Sequence, residues 1–176
     1  MKSTVHKVNK DKNTITASEA LTSFKFNVVD GGSLLHKVVW QSGSKIKEIV
    51  SQYQKFVNNN YGESIVVFGG YENALSTKDH EHLRRLMETG RCPNVVLELE
   101  NVAYFSQNTF LNSQENKSQL IFYIAEALTT DVCKVKICKG DADIEIVSAA
   151  IDAAISGNSV MLRADDIDVI IMLIYL

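Results

Sequence analysis

The sequence predicts a three-layer α/β/α fold around a mostly parallel sheet, and three observations predict it. Short apolar, β-branched runs (FKFNVVD, SIVVF, CKVKICK and SVMLRA) alternate with longer segments of helical periodicity, the pattern of repeated β-α units. Glycine turns, Gly31-Gly32, Gly69-Gly70 and Gly157-Asn158, punctuate that alternation. Aspartates gather where three of the runs end: Asp30 after FNVV, Asp141 and Asp143 after VKICKG, and Asp165, Asp166 and Asp168 after SVMLRA. In a parallel sheet, ligands bind outside the carboxyl ends of the strands.

Residues 1–22 are polar and aperiodic and read as an N-terminal arm; residues 23–176 read as one domain. The first strand, residues 24–30, ends in Asp30-Gly31-Gly32, and Ser33 to Trp40 reads as a short helix or a loop. Ser44 is a candidate cap for a helix from Lys45 to Asn59, with Ile46, Ile49, Val50, Tyr53, Phe56 and Val57 along one face. Asn58-Asn59-Asn60 and Gly62 stop it, and Ser64 to Phe68 form a buried strand. Ser76 or Thr77 caps a helix from Lys78 to Glu88, broken by Gly90 and Pro93. VVLELE alternates like a strand, although all of 95–112 also fits a flap. A helix from Asn116 to Thr129 buries Leu120, Ile121, Ile124, Ala127 and Leu128, and CKVKICK follows as a strand. Ala142 to Ser156 is a helix expected to bury Ile144, Val147, Ile151, Ala154 and Ile155.

The chain has 176 residues, 45% of them hydrophobic and 22% charged, enough for one domain with a full core. Cys92, Cys133 and Cys138 cannot all pair, and with a polar N-terminus they point to a reducing, intracellular setting, nuclear or cytoplasmic. Cys133 and Cys138 read as core or strand residues. The closing VIIMLIYL is too short to cross a membrane, so no membrane partner is expected. A chain that stops on an uncapped apolar run reads as a fragment of a longer protein. The net charge of −3 argues against a nucleic-acid partner, but the count includes the five carboxylates assigned below to metal.

Carboxylates brought that close cannot all stay ionised without a cation between them. Hard divalent ions, Mg²⁺ or Mn²⁺, are the usual solution, and a pair of them about 3.5–4 Å apart serves in-line attack on a phosphodiester. The competing reading is helix capping, since aspartate at a strand-to-helix junction both caps and complements the helix dipole. His80-Glu81-His82 is no metal motif, because residues two apart on a helix point to opposite sides. Lys78 and Arg85 lie two turns apart on one face and are candidates to contact a phosphate. Phosphate-loop and dinucleotide fingerprints, GxxxxGK[ST] and GxGxxG, are absent.

The order VVDGG, VVFGGYEN, TKDHEHLRR, ENKSQL, GDADIEIV and RADDIDVII, from about Phe26 to Ile171, resembles the PIN-like / flap-endonuclease superfamily, in particular a divergent group found in animal proteins associated with mobile elements. The resemblance implies a metal-dependent nuclease acting on DNA or RNA. It implies that Asp30, Asp141, Asp143, Asp166 and Asp168 hold two Mg²⁺ or Mn²⁺ ions, with Asp165 a neighbouring acid and Lys78 and Arg85 lining the site. One ion would lie near Asp30, Asp143 and Asp166, the other near Asp141 and Asp168. One position departs from the family pattern: Gly69 stands where the family's V-F-D-G motif carries an acid. The C-terminal part that would hold a further acid is also missing. The alternative expectation is therefore an inactive PIN-like module that binds nucleic acid or protein.

Overall fold

A computed structural model describes residues 26–70, 95–130 and 132–175. Four strands, β1 (Phe26–Asp30), β2 (Ser64–Gly69), β3 (Cys133–Cys138) and β4 (Val160–Arg163), form one sheet in the order β3-β2-β1-β4. Every pairing is parallel, with Val29 opposite Val66 on one side and Arg163 on the other. Among the described residues, six helices cover it: α1 (Gly31–Lys37), α2 (Ile46–Asn60), α3 (Gln107–Asn112), α4 (Gln114–Leu128), α5 (Ala142–Ile155) and α6 (Ile167–Tyr175). The expected three-layer α/β/α architecture is the one found.

The central strands β1 and β2 are apolar on both faces because helices bury both faces. Val29, Val66, Phe68 and Cys133 point into the larger core with α1, α2, α3 and α4, where Leu34, Tyr53, Phe110 and Ile124 are fully or almost fully buried. Val28, Val67 and Cys138 point the other way, against Ile146, Val147 and Ala150 of α5 and Val169 of α6. Cys133 and Cys138 are core thiols, as expected, and the Cys138 thiol donates to the Phe68 carbonyl at 3.1 Å. At the amino end of β1, buried Asn27 donates to the Tyr61 carbonyl (2.6 Å) and accepts from Arg163 Nε (3.2 Å). The Arg163 guanidinium lies 5.6 Å from the centre of the Tyr61 ring, which fixes edge strand β4 to the end of α2.

Several local readings change. Ser33–Trp40 resolves into α1, which starts directly at Gly31 and ends at Lys37. The residue before α2 is Lys45, not Ser44, and its N–H donates to Glu48 Oε2 at 3.2 Å. The next two amides, of Ile46 and Lys47, donate to the carbonyls of Asn101 and Leu99, both at 2.9 Å, so a distant loop satisfies donors that the first helical turn leaves over. VVLELE is not a strand of the sheet. Its backbone bonds instead to side chains of α4: Val95 N–H to Asn116 (2.9 Å), Leu97 N–H to Gln119 (2.9 Å) and the Tyr123 hydroxyl to the Leu97 carbonyl (3.0 Å). The stretch after it turns into α3, capped by Ser106, and Ser113 caps α4 two residues earlier than the periodicity placed it.

Helix α5 buries Ile146, Val147, Ala150 and Ala153, whereas Ile144 and Ile155 are 62% and 79% exposed and Ala154 is exposed too. Apolar residues occupy most of its circumference, so periodicity alone does not choose a face. The sheet takes the side that carries the small Ala150 and Ala153. The arm, the helix expected over 78–88 and Cys92 lie outside the described residues.

Gly31 has no room for a side chain: a Cβ there would stand 2.3 Å from the Phe68 ring. Gly31→Ala should destabilise the domain by about 1–3 kcal/mol, as overpacking does. Urea melts of a double-mutant cycle with Phe68→Leu check the cause. The penalty shrinks in the Phe68→Leu background if the ring is the obstacle, and persists if it is not.

Candidate functional site

The sheet order places a topological switch point between β1 and β4. From β1 the chain moves outward to β2 and β3, then returns to the opposite side of β1 as β4. The loops leaving β1 and β4 therefore diverge, opening a crevice at their carboxyl ends, the position where open α/β sheets bind ligands. Asp30 ends β1, and Ala164-Asp165-Asp166 follow β4. Two acidic clusters far apart in sequence thus meet at this crevice.

Asp30 is half-buried and caps α1, its Oδ1 accepting from Gly32 N–H at 2.8 Å. Burial pushes its carboxyl above the ordinary value of 3.8. Amide hydrogen bonds from Gly32 and Ser33 work against that rise, while the negative charges of Asp165 and Asp166 add to it. Asp165 shows the opposite behaviour. The Ser33 hydroxyl donates to its Oδ2 and Lys37 Nζ stands 3.1 Å from its Oδ1, and both hold it below the ordinary range. Ser33 and Lys37 are four apart on α1, so one helical face presents both to the β4 loop. Asp166 is exposed, and its Oδ1 accepts from Asp168 N–H at 2.9 Å, capping α6.

His36, in the last turn of α1, lies within charge reach of both Asp30 and Lys117 of α4. Partial burial and the Lys117 charge hold the imidazole below its ordinary value, with Asp30 opposing them. The crevice thus gathers Asp30, Asp165 and Asp166, with Lys37 paired to Asp165 and His36 within charge reach of Asp30. Sequence reasoning missed Ser33, His36, Lys37 and Lys117. The available signal was the spacing Asp30-Ser33-Lys37, legible once Asp30 is known to cap a helix.

Asp141 and Asp143 stand at the head of α5, where Asp141 caps the helix by accepting from Asp143 N–H at 3.2 Å. They follow β3, which is two strands away from β1, a lateral offset of roughly 10 Å at ordinary strand spacing. The charges that act on Asp30 are those of Asp165 and Asp166. The six aspartates therefore divide into a group at the switch point and a pair at α5. Among the described residues, no group of three or more His, Cys, Asp or Glu side chains stands close enough to hold a metal ion. Capping is realised at all three junctions. It engages Asp30, Asp141 and Asp166. Lys78 and Arg85 lie outside the described residues.

Gly69 ends β2, between the two acidic groups. A Cβ there would lie 3.6 Å from Ala142 Cβ, ordinary contact, so a side chain at 69 fits and would project toward the start of α5. No helix among the described residues is long and apolar enough to cross a membrane.

The pH dependence follows from Asp30. The folded chain binds its proton more tightly than the unfolded chain, so Asp30 favours folding below pH 3.8 and loses that contribution as pH rises through the higher folded value. Asparagine caps as well as aspartate and carries no charge. Without metal, Asp30→Asn should raise the thermal midpoint at pH 7, by about 2–4 °C for each kcal/mol relieved, with the gap closing toward pH 4. A midpoint at pH 7 equal to or below that of wild type would show that the crevice does not strain the carboxylate.

No protein-family model, curated protein or solved structure matches this chain.

Proposed function

We propose that this chain is a PIN-like domain that hydrolyses phosphodiester bonds of DNA or RNA with Mg²⁺ or Mn²⁺ at the switch point between β1 and β4. The observation that carries the reading is the half-buried Asp30, driven to bind a proton by its burial and by two further carboxylates at the sheet's ligand-binding edge. A group strained in that way is relieved by a cation, and perturbed carboxylates in a cleft mark functional sites.

The donor set suits a hard ion but is no cage. Mg²⁺ commonly takes one or two carboxylates and completes its shell with water and substrate phosphate. The reading therefore assigns a single ion to Asp30 and one carboxylate of the β4 loop, Asp165 or Asp166, where the sequence alone suggests two. When bound, such an ion supplies Lewis acidity and an activated water. The chain's own side chains supply the rest. Lys37 and Lys117 offset the charge of a phosphate entering beside the acids. Asp30, at the carboxyl end of β1, is placed to hold the ion against the β4 loop. Asp141, Asp143 and Asp168 set the negative potential around the entrance.

A second reading, a non-catalytic PIN-like module, is favoured by one observation: Lys37 already occupies Asp165 at 3.1 Å, a lysine ammonium in the place of a metal. Gly69 in place of an acid agrees with it.

Cleavage of single-stranded and 5′-flapped oligonucleotides with Mn²⁺ separates the two. Wild type should cut slowly and Asp30→Asn should lose activity by at least about a hundredfold, as a removed ligand does. Gly69→Asp, which the structure accommodates, should raise the rate. Equal rates for all three would assign the activity elsewhere, and no cleavage by wild type or by Gly69→Asp would leave the non-catalytic module.

A further inference from the structure

On the face opposite the larger core, α5 and α6 leave a groove between them. Ile144, Val147, Ser148 and Ile151 of α5 and Met172 and Tyr175 of α6 line a cavity of about 520 Å³. Ile144 is 62% exposed and Tyr175 85%, and Ile171, one turn before Tyr175, is exposed beside them. Adjoining exposed apolar side chains on this scale mark an interaction surface rather than the usual scatter of single residues.

The charges around the groove choose the partner. Every charged side chain on the two helices is acidic: Asp143, Glu145 and Asp152 on α5, and Asp168 on α6. Asp168 lies one turn before Met172 and two before Tyr175, on the stripe that lines the groove, and Asp152, one turn beyond Ser148, is exposed at its outer rim. Glu145, two turns before Asp152 on the same side of α5, is paired with Lys136 of β3. We propose that the groove between α5 and α6 docks an amphipathic helix of a partner protein whose apolar stripe is flanked by lysine and arginine. Helix-in-groove docking reads apolar anchors one turn apart, and opposite charge at the rim sets orientation and encounter rate. A second copy of this face would bring Asp152 and Asp168 against their own counterparts, since a two-fold interface is self-facing. An anionic lipid surface meets the same repulsion.

The full chain can be titrated into a fluorescein-labelled peptide with leucines at i, i+3, i+4 and i+7 and lysines elsewhere, read by anisotropy. A glutamate-for-lysine version and a scrambled lysine version, with the same composition and no stripe, serve as controls. The striped lysine peptide should bind saturably, with both controls about tenfold weaker or more. Ile144→Arg, at an exposed position that leaves the core intact, should weaken binding about tenfold, and Asp152→Lys should narrow the gap between the lysine and glutamate peptides. Circular dichroism verifies that both variants fold. Equal binding of the striped and scrambled peptides, or unchanged binding by Ile144→Arg, would overturn the proposal. So would a dimer of the chain in sedimentation that Ile144→Arg dissociates, because a second copy would then be the occupant.

Discussion

The domain depends on a single strand being paired on both edges and covered on both faces. β1 bonds to β2 on one side and β4 on the other, all parallel, and its Val28 and Val29 are buried in opposite cores. A parallel neighbour requires a crossover, so each flanking strand arrives with helices that must pack on the sheet. That requirement fixes the three layers, and it also fixes the crevice. The chain cannot place β2 and β4 on opposite sides of β1 without separating the loops above them. Asp30 stands at that divide because β1 ends there, and Asp165 faces it because β4 ends there.

Electrostatics at the divide are asymmetric. Asp165 is solvated and paired, so its charge is held cheaply; Asp30 is half-buried and its amide hydrogen bonds do not compensate for the lost water. Such a carboxylate is costly to folding and useful to chemistry, a combination met at sites where stability is given up for function. The caps at Asp30, Asp141 and Asp166 do not oppose this reading. A carboxylate has about four lone-pair sites, so an oxygen that accepts a capping bond can also face a cation.

The fold class was legible because it rests on alternation of period, the strongest signal a sequence carries. The ends of strands and helices were legible where glycine or aspartate marked them, as at Asp30-Gly31. The segment after Val95 was not, because its backbone partners are the side chains of Asn116, Gln119 and Tyr123, and no local pattern announces a bond made across more than 20 residues. The buried face of α5 was misread because isoleucine and alanine surround the helix, and packing rather than hydrophobicity selects the side. For the site, the sequence supplied the acids but not their grouping. Strand order decides that Asp30 neighbours Asp165 and Asp166 while Asp141 and Asp143 sit above the far side of the sheet. Strand order is a property of the whole chain. The cations Lys37 and Lys117 escaped notice for the same reason, since each is an unremarkable helical lysine until folding brings Lys37 to Asp165 and Lys117 to His36.

The most direct measurement of the central claim is a Mn²⁺ titration of the isotope-labelled chain followed by amide line broadening. Paramagnetic broadening falls steeply with distance and detects even weakly held ions. The account predicts selective loss of the Gly31, Gly32, Ser33, Asp165 and Asp166 amide signals first, with that selectivity abolished in Asp30→Asn. Broadening centred on other acids, such as Glu98 and Glu100, or spread evenly over the surface, would contradict it.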